Sequence, residues 1–378
     1  MEMPMTRRLE GSDFHFVCNG GRAVFVALRD LRFAKGRFAL MGTVVFLITL
    51  LVTMLSGLTA GLAQENISAV EKLPADHIVF DSGEKPAFAD SRITDAAWQD
   101  WQNVPGVTAE RLGVSMSRIA FGDDQSAGVA LFGVKPDGEL ADERPVDTGK
   151  VVLSAALATG SGLKSGDTVQ ISGKDFIVAG TGGEASYSHT PVAWISIGDW
   201  EWMVRQASAD TVATVLALRS SGTPDLAATD SRLGTTTVPL SDAPAAIGSF
   251  SSENGSLQLM RGFLFAISAL VIGAFFTVWT IQRRGDVAVL KALGASSGYL
   301  LRDALAQAVI VLLLGAGVGG ALGAALGALA EGTVPFVLSV ATTVVPVAVM
   351  ILLGAAGAAL AIRKITSVDP LIALGASR

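Results

Sequence analysis

Four long apolar stretches interrupt the otherwise mixed pattern of this 378-residue chain. A helix of about 20 mainly apolar residues crosses the hydrocarbon core of a bilayer, which is about 30 Å thick. The pattern therefore predicts transmembrane helices over residues 38–63, 261–281, 303–332 and 333–362. The first stretch, "FALMGTVVFLITLLVTMLSGLTAGL", is longer than the roughly 7–15 residues of a signal-peptide core, which favours a retained span over a cleaved leader.

Between the first two spans, residues 64–260 show a different pattern of short β-rich runs separated by Gly, Asp and Ser turns. The runs include "DHIVF", "SRIAF", "GVALFGV", "KVVLS", "DTVQIS" and "DFIVAGT", and "AALATGSGLKSGD" is typical of a short helix followed by a turn. The predicted fold class is an α-helical membrane protein with four transmembrane helices and an α+β extracytoplasmic domain inserted between helices 1 and 2.

Charge is distributed unevenly along the chain and sets the expected orientation. Residues 64–260 contain 13 Lys and Arg against 26 Asp and Glu, whereas the rest of the chain is net basic. By the positive-inside rule, the basic ends of the spans face the cytoplasm. We expect a plasma-membrane protein with a cytoplasmic tail and interfacial amphipathic helix at 1–37, a cytoplasmic segment at 282–302 and a cytoplasmic tail at 363–378. An acidic outside domain gives no support to a nucleic-acid partner.

Catalytic chemistry finds little support in the residue pattern. Cys18 is the single cysteine, which excludes an internal disulfide and a four-cysteine zinc site. "GSGLKSGDT" lacks the glycine that a phosphate-binding loop has before its lysine. The histidines at 15, 77 and 189 show no metal-ligand spacing, and His189, in "YSHTP", is interpreted as a polar loop residue. We expect a chain that is not itself an enzyme and has no intrinsic cofactor.

One face of the first span has an unusual composition. Gly57, Gly61 and Glu65 recur every four residues, and Met54 lies close to the same face. Small residues at this spacing allow another helix to approach closely, and a carboxylate at the rim would then only mark the aqueous boundary. The alternative is a slot for a flat, apolar ligand whose polar or metal centre meets Glu65. The residues alone leave both interpretations open.

The segment between the second and third spans is amphipathic and too polar to cross a bilayer. "TIQRRGDVAVLKALGASSGYL" places Arg283 and Arg284 beside the apolar Val289, Leu290 and Leu293. A short charged helix of this kind on the cytoplasmic side predicts a docking partner there.

Three segments resemble the FtsX/MacB-type ABC transporter permeases. They are "QRRGDVAVLKALGASSGYLLRD", the end of the chain "KITSVDPLIALGASR", and "VVLSAALATGSGLKSGDTVQISGKDFIVAGT" in the outside domain. The resemblance implies two permease copies and two cytoplasmic ATP-binding subunits. It also implies that the segment 282–302 is a coupling helix that docks on the ATPase.

Two further segments, "SGLTAGLAQENIS" and "FLFAISALVIGAFFTVWTIQRR", resemble the haem-exporting members of that family. This resemblance implies haem as the transported ligand, in a site formed by Glu65, Gly57, Gly61, Met54, Met260 and Arg261. Glu65 is the expected iron ligand, Met260 and Met54 are second and third choices, and Arg261 would pair with a propionate. The alternatives are a mechanotransmission permease that regulates an extracytoplasmic partner, or an exporter of peptides or lipids.

Overall fold

The computed structural model describes residues 35–81, 85–122, 124–205, 210–330 and 332–366. The chain divides into two compact units. The unit that we call the helical unit contains the described residues up to Met54, Leu264–Ala325 and those from Thr343 onward. The unit that we call the sheet unit contains Leu55–Phe263 and Leu326–Thr342. The predicted interfacial helix at 1–37 and the tail at 363–378 lie largely outside the described residues.

Among the described residues, four helices are long and apolar enough to cross a membrane. They are α1 (Lys35–Glu71), α6 (Gly248–Gln282), α8 (Ser297–Ala330) and α9 (Val340–Thr366), and a short helix α7 (Arg284–Ala292) lies between α6 and α8. The described strands all lie between α1 and α6. This arrangement confirms the predicted fold class, with an α+β domain inserted between the first and second spanning helices.

Helices α1 and α6 extend beyond the apolar stretches that predicted them. α1 continues to Glu71 instead of ending at 63, and α6 begins at Gly248 instead of 261. Hydropathy marks only the part of a helix that lipid would surround, whereas these added turns have a more polar sequence. Asn66, Ser68 and Val70 in the added turns of α1 are buried, so tertiary packing continues the helix past the apolar stretch.

The domain between α1 and α6 combines short helices with twelve described strands. Its strands are β1 (His77–Asp81), β2 (Ile93–Thr94), β3 (Val107–Phe121), β4 (Gln125–Val134), β5 (Lys150–Ser154), β6 (Thr168–Ile171), β7 (Lys174–Gly182), β8 (Ser186–Tyr187), β9 (Thr190–Ser196), β10 (Thr211–Ala213), β11 (Val215–Ser220) and β12 (Thr235–Pro239). Its helices are α2 (Asp95–Gln102), α3 (Ala155–Ser161), α4 (Ile197–Val204) and α5 (Leu226–Leu233). The β-rich runs predicted from the sequence lie on β1, β3, β4, β5, β6 and β7.

The long strand β3 joins two parts of the main sheet. Its first half pairs antiparallel with β11 and its second half with β4. Ile119 and Ala120 of β3 also pair with β6. That pairing closes β3, β4, β9, β5, β7 and β6 into a ring of six strands, while β11, β1 and β12 continue the sheet from β3.

The strands of this ring are buried on both faces. Val129 and Leu131 of β4 belong to a hydrophobic cluster that draws residues from all six strands of the ring. Ala130 and Phe132 belong to a second cluster, which also contains Val70 at the end of α1. Successive side chains of a strand point to opposite faces, so the ring separates two cores, and α1 packs on the outer one.

In the helical unit, α8 packs on α1 through a row of glycines. A Cβ atom at Gly319 would lie 2.6 Å from the carbonyl oxygen of Phe46, and one at Gly315 would lie 3.0 Å from that of Gly42. At Gly323 a Cβ would lie 3.1 Å from Cβ of Thr53. The two helices therefore meet at backbone distance, a close approach that small residues permit. We refer to these three glycines as the glycine seam.

Candidate functional site

Glu65, the predicted iron ligand, lies on the part of α1 that follows the apolar stretch. Its side chain is 47% exposed, and its Oε2 lies 3.8 Å from Nδ1 of His189. Its backbone carbonyl accepts a hydrogen bond of 3.2 Å from the N–H of His189. The predicted ligand thus has a histidine beside it, although the sequence analysis treated His189 as an ordinary loop residue.

A tight turn holds His189 in this place. Ser188 and His189 connect β8 to β9, and both have positive φ, 51° and 59°, as the central residues of a type I′ hairpin turn require. Residues other than glycine adopt this conformation at a cost. Hydrogen bonds to α1 offset this conformational cost. The N–H of Ser188 donates to the carbonyl of Asn66 at 2.9 Å, and the N–H of His189 donates to the carbonyl of Glu65.

A buried asparagine next to Glu65 connects this turn to α6. The Asn66 side chain is 1% exposed, and its Oδ1 accepts a hydrogen bond of 2.8 Å from Ser249 Oγ. The hydroxyls of Ser188 and Ser249 are 2.8 Å apart, and His189 Nε2 lies 2.8 Å from Oε2 of Glu253. We call this set, Asn66, Ser188, His189, Ser249 and Glu253, the clasp. It joins α1, the β8–β9 turn and the start of α6.

An ionised carboxylate only accepts hydrogen bonds, so a hydrogen bond between His189 Nε2 and Glu253 requires a hydrogen on Nε2. Asn66 Nδ2, which is 3.1 Å from the same nitrogen and 3.4 Å from Glu253 Oε2, then donates to the carboxylate. Glu65 and Glu253 flank opposite nitrogens of one ring, so the three side chains do not converge on one point. Within the described ranges, no group of three or more His, Cys, Asp or Glu residues could hold a metal ion.

The glycine face of α1 is not an open slot, which corrects the expectation for Gly57 and Gly61. A Cβ atom at Gly57 would lie 2.1 Å from Cζ of Phe336, and one at Gly61 would lie 1.9 Å from the carbonyl oxygen of Pro335. A Cβ at Gly327 of α8 would lie 2.1 Å from the same phenyl ring, at Cε1. The flat apolar group between these glycines is thus the ring of Phe336, in the segment between α8 and α9.

The remaining predicted ligand-site residues lie apart from the clasp. Met54 is half-buried on α1, whereas Met260 on α6 is 52% exposed and Arg261 is half-buried. Met260 follows Glu253 by two helical turns, about 10 Å along the axis at 1.5 Å per residue. The structure therefore joins Glu65 to His189 through a direct contact, and it places Met260 two turns along α6 from the clasp.

The short helix α7 presents apolar side chains outward, as the amphipathic pattern predicted. Val289 is 55% exposed, Leu290 43% and Leu293 79%, while Ala288 on the other side is buried. Arg283 does not share this outward face, because its Nη1 donates a hydrogen bond of 2.7 Å to Oε1 of Gln307 on α8. The side chain of Arg284 is outside the described set.

Two features of these sites were not predicted from the sequence, the clasp and the glycine seam. The clasp joins residues that are far apart in sequence, and no local pattern marks His189 as a neighbour of Glu65. The glycine seam could have been predicted from the sequence, because Gly315, Gly319 and Gly323 recur every four residues within an apolar stretch.

Two family models match this chain. The FtsX-like permease C-terminal model matches residues 259–370. The MacB-like periplasmic core domain model matches residues 19–233, which is more than half of the chain.

Curated relatives align over nearly the whole chain. A permease protein of Staphylococcus haemolyticus, HrtB, whose name assigns it provisionally to a hemin transport system, is 27% identical over 93% of this chain and 99% of its own length. The protein of the same name from Staphylococcus epidermidis is 25% identical with the same coverage. An ABC transporter permease of Mycobacterium bovis is 27% identical, also over 93% of this chain and 99% of its own length.

Solved structures resemble a smaller part of the chain. The periplasmic region of MacB from Actinobacillus actinomycetemcomitans has a TM-score of 0.34 and 14% sequence identity, and the match covers 48% of this chain and 94% of that one. The extracellular domain of the ABC-type transporter YknZ from Gram-positive bacteria has a TM-score of 0.31 and 11% identity, over 44% of this chain and 98% of that one.

Proposed function

Because this chain belongs to the FtsX/MacB-type family of ABC transporter permeases, we propose that it is the membrane subunit of an ATP-driven haem efflux pump. The family prediction made from "LKALGAS" and the neighbouring segments is confirmed by both family models. The observation that carries the haem proposal is the end-to-end similarity to permeases named for hemin transport, which covers 99% of their length. Haem is thus treated as cargo and not as a resident cofactor.

The energy for transport comes, in this proposal, from a separate ATP-binding subunit that docks on α7. Val289 and Leu290 of α7, with Leu293 directly after it, supply an exposed apolar surface. Burial of such side chains stabilises an interface by roughly 25 cal/mol per Å² of apolar surface. The assembly contains two copies of this chain and two ATP-binding subunits, and the termini face the cytoplasm.

Glu65 is the proposed ligand of the haem iron. Its carboxylate is half-exposed and therefore accessible, and the neighbouring His189 limits its position. Oxygen ligands such as tyrosinate hold haem iron in some proteins, and a carboxylate is a weaker ligand than histidine, which suits cargo that must be released.

Since Phe336 fills the glycine face of α1, the porphyrin would lie instead against exposed apolar side chains of α6. Met260 and Phe263 are exposed there, 52% and 59%, and Arg261 would pair with a propionate. Met54 remains the third-choice iron ligand.

A haem titration of the purified complex tests this proposal. The wild type should give a stoichiometric Soret band, and Glu65→Ala should lose most of it together with export. Glu71→Ala is the matched control, because it removes another exposed carboxylate from the same helix. A wild-type spectrum in Glu65→Ala would refute the iron assignment. Loss of the band in Met260→Ala alone would move the iron to α6.

The clasp favours mechanotransmission as the second candidate function. It joins α1 and α6 to the β8–β9 turn through partly buried hydrogen bonds, so movement of the two helices would reach the outside domain without any cargo. In that case the wild-type complex gives no Soret band. The outside domain of the full chain would instead retain a protein partner in an ATP-dependent manner.

A further inference from the structure

A glutamine is fully buried among the spanning helices. Gln307 on α8 is 0% exposed, in a helix that is otherwise almost entirely apolar. Its Oε1 accepts a hydrogen bond of 2.7 Å from Arg283, and its Nε2 donates one of 3.0 Å to Oδ2 of Asp303, one turn earlier on α8. Polar side chains within membrane helices are costly unless they are paired, and both ends of this amide are paired.

The partner of this glutamine lies at the junction between α6 and α7. Arg283 follows the last residue of α6 and is the N-cap of α7. Its guanidinium carbon lies 5.1 Å from the ring centre of Trp279, one turn back on α6. These two contacts hold the guanidinium against α6 and α8. The position of Arg283 in turn sets where α7 begins. The sequence analysis assigned Arg283 to the docking surface, and the structure shows that its guanidinium is hydrogen-bonded to α8.

Helix α8 is also the helix that carries the glycine seam. Gly315 follows Gln307 by about two turns on the same helix, and the seam brings α8 to backbone distance from α1. A shift of α8 therefore acts directly on α1 at these close contacts.

We infer that Arg283 and Gln307 form a positioning link that transmits movement of α7 to α8. This inference rests on the proposed ATP-driven function. The ATPase moves α7 through Val289, Leu290 and Leu293, and the hydrogen bond between Arg283 and Gln307 makes α8 follow. In this inference both residues act through the position of α8 and not through contact with the ATPase or the cargo.

The coupling ratio, measured as haem exported per ATP hydrolysed, tests the link in the reconstituted complex with its ATP-binding subunit. Gln307→Leu and Arg283→Met should each lower the ratio by roughly threefold or more, the scale of an interhelical hydrogen bond in a membrane, while ATP hydrolysis continues. The double variant should lose no more than either single variant. Gln307→Glu combined with Asp303→Asn, which keeps an acceptor for the guanidinium and a donor in the partner side chain, should restore the ratio. Losses that multiply in the double variant would overturn the link.

A second measurement needs no haem and so separates this inference from the haem proposal. Hydrogen exchange of the complex is followed with and without a non-hydrolysable ATP analogue. In the wild type, peptides from both α7 and the first turns of α8 should change on nucleotide binding. In Gln307→Leu the change should persist in α7 and disappear from α8. A nucleotide response that remains in α8, or one that is missing from wild-type α7, would overturn the inference.

Thr280→Val is the matched control for both measurements. It removes a buried hydroxyl one turn from Arg283, but among the described residues that hydroxyl bonds to the carbonyl of Phe276 alone, within its own helix. This variant should keep the wild-type coupling ratio and the wild-type exchange response of α8. A loss equal to that of Gln307→Leu would show that any buried polar deletion at this depth uncouples the pump, and would overturn the specific role of the link.

Discussion

Phe336 occupies the space that glycines on two helices leave between them. Its side chain is 8% exposed, and Gly57 of α1 and Gly327 of α8 lie against its ring. The two glycines are required by this contact, because any Cβ at either position would overlap the phenyl group. The face that the sequence analysis considered for a flat ligand is therefore closed by a flat side chain of the same chain.

Gly61→Ala should lower the free energy of unfolding. Its new Cβ would lie 1.9 Å from the backbone oxygen of Pro335, and a backbone atom cannot move aside as a flexible side chain can. Overpacking of this kind costs about 1–3 kcal/mol. Denaturation of the full chain in detergent measures the effect. Gly255→Ala is the control, because a Cβ there meets nothing within 4 Å, and it should be neutral or slightly stabilising. Equal midpoints for the two variants would contradict the packing.

Acid should destabilise the outside domain through Asp199. This residue is 2% exposed, and burial alone would raise the pKa of its carboxyl. Hydrogen bonds from Lys174, from the N–H of Gly149 and from the hydroxyl of Ser196 outweigh burial, so the pKa lies below its usual range. A depressed pKa contributes stability above the unfolded-state value of about 3.9, and the contribution is lost as pH falls through the folded value.

The midpoint of unfolding, followed from about pH 5 down to about pH 2, checks this pH dependence. Asp199→Asn should be less stable than the wild type at neutral pH and should lose less stability in acid. The exposed Asp90→Asn should behave as the wild type. Parallel pH curves for Asp199→Asn and the wild type would refute the assignment.

At the scale of elements, α7 has one exposed apolar side and one buried side. Val289, Leu290 and Leu293 are exposed, whereas Ala288 is buried, and the helix begins at a residue held by α8. An amphipathic helix of nine residues is too short to be stable alone in water. Its conformation therefore depends on contacts with the helical unit on one side and, in the proposed assembly, on the ATPase on the other.

Val289→Asp and Leu293→Asp should weaken binding of the ATP-binding subunit. Loss of one buried apolar side chain costs about 1.5–3 kcal/mol, which corresponds to roughly a tenfold or greater loss of affinity. Titration of the ATPase against the purified chain measures it. Ile177→Asp, which places the same charge on an exposed residue of β7, is the control. Undiminished binding by both α7 variants would exclude this surface as the docking site.

At the scale of the whole molecule, the sequence predicted the helices and the fold class better than the contacts. Span length and composition identify a membrane helix by themselves, so α1, α6, α8 and α9 were all found. The strand β9 was missed because "TPVAWIS" follows a loop histidine without any alternating pattern. The pairing of Glu65 with His189 and the burial of Gln307 against Arg283 depend on the tertiary fold, which no local spacing specifies.

The predicted contact between two copies of the chain should involve α6 and not the buried face of α1. Ile267 and Leu270 are 57% and 73% exposed, whereas Thr53 is 0% exposed and packs on Gly323. In a Cys18→Ser background, Ile267→Cys should crosslink two copies in membranes. Thr53→Cys should not. Crosslinking at Thr53 alone would place the contact on α1.

The glycine seam constrains how this family member can change over generations. On the α8 side of this contact, a residue larger than glycine does not fit. On the α1 side, two of the contacting atoms are the main-chain oxygens of Gly42 and Phe46, and every amino acid supplies a main-chain oxygen. Substitutions should therefore accumulate unequally across one interface. Positions 315 and 319 should stay glycine in close descendants, while position 46 of α1 drifts among apolar residues without any compensating change opposite it. Pairwise covariation would consequently leave this contact undetected, although it is among the tightest in the helical unit.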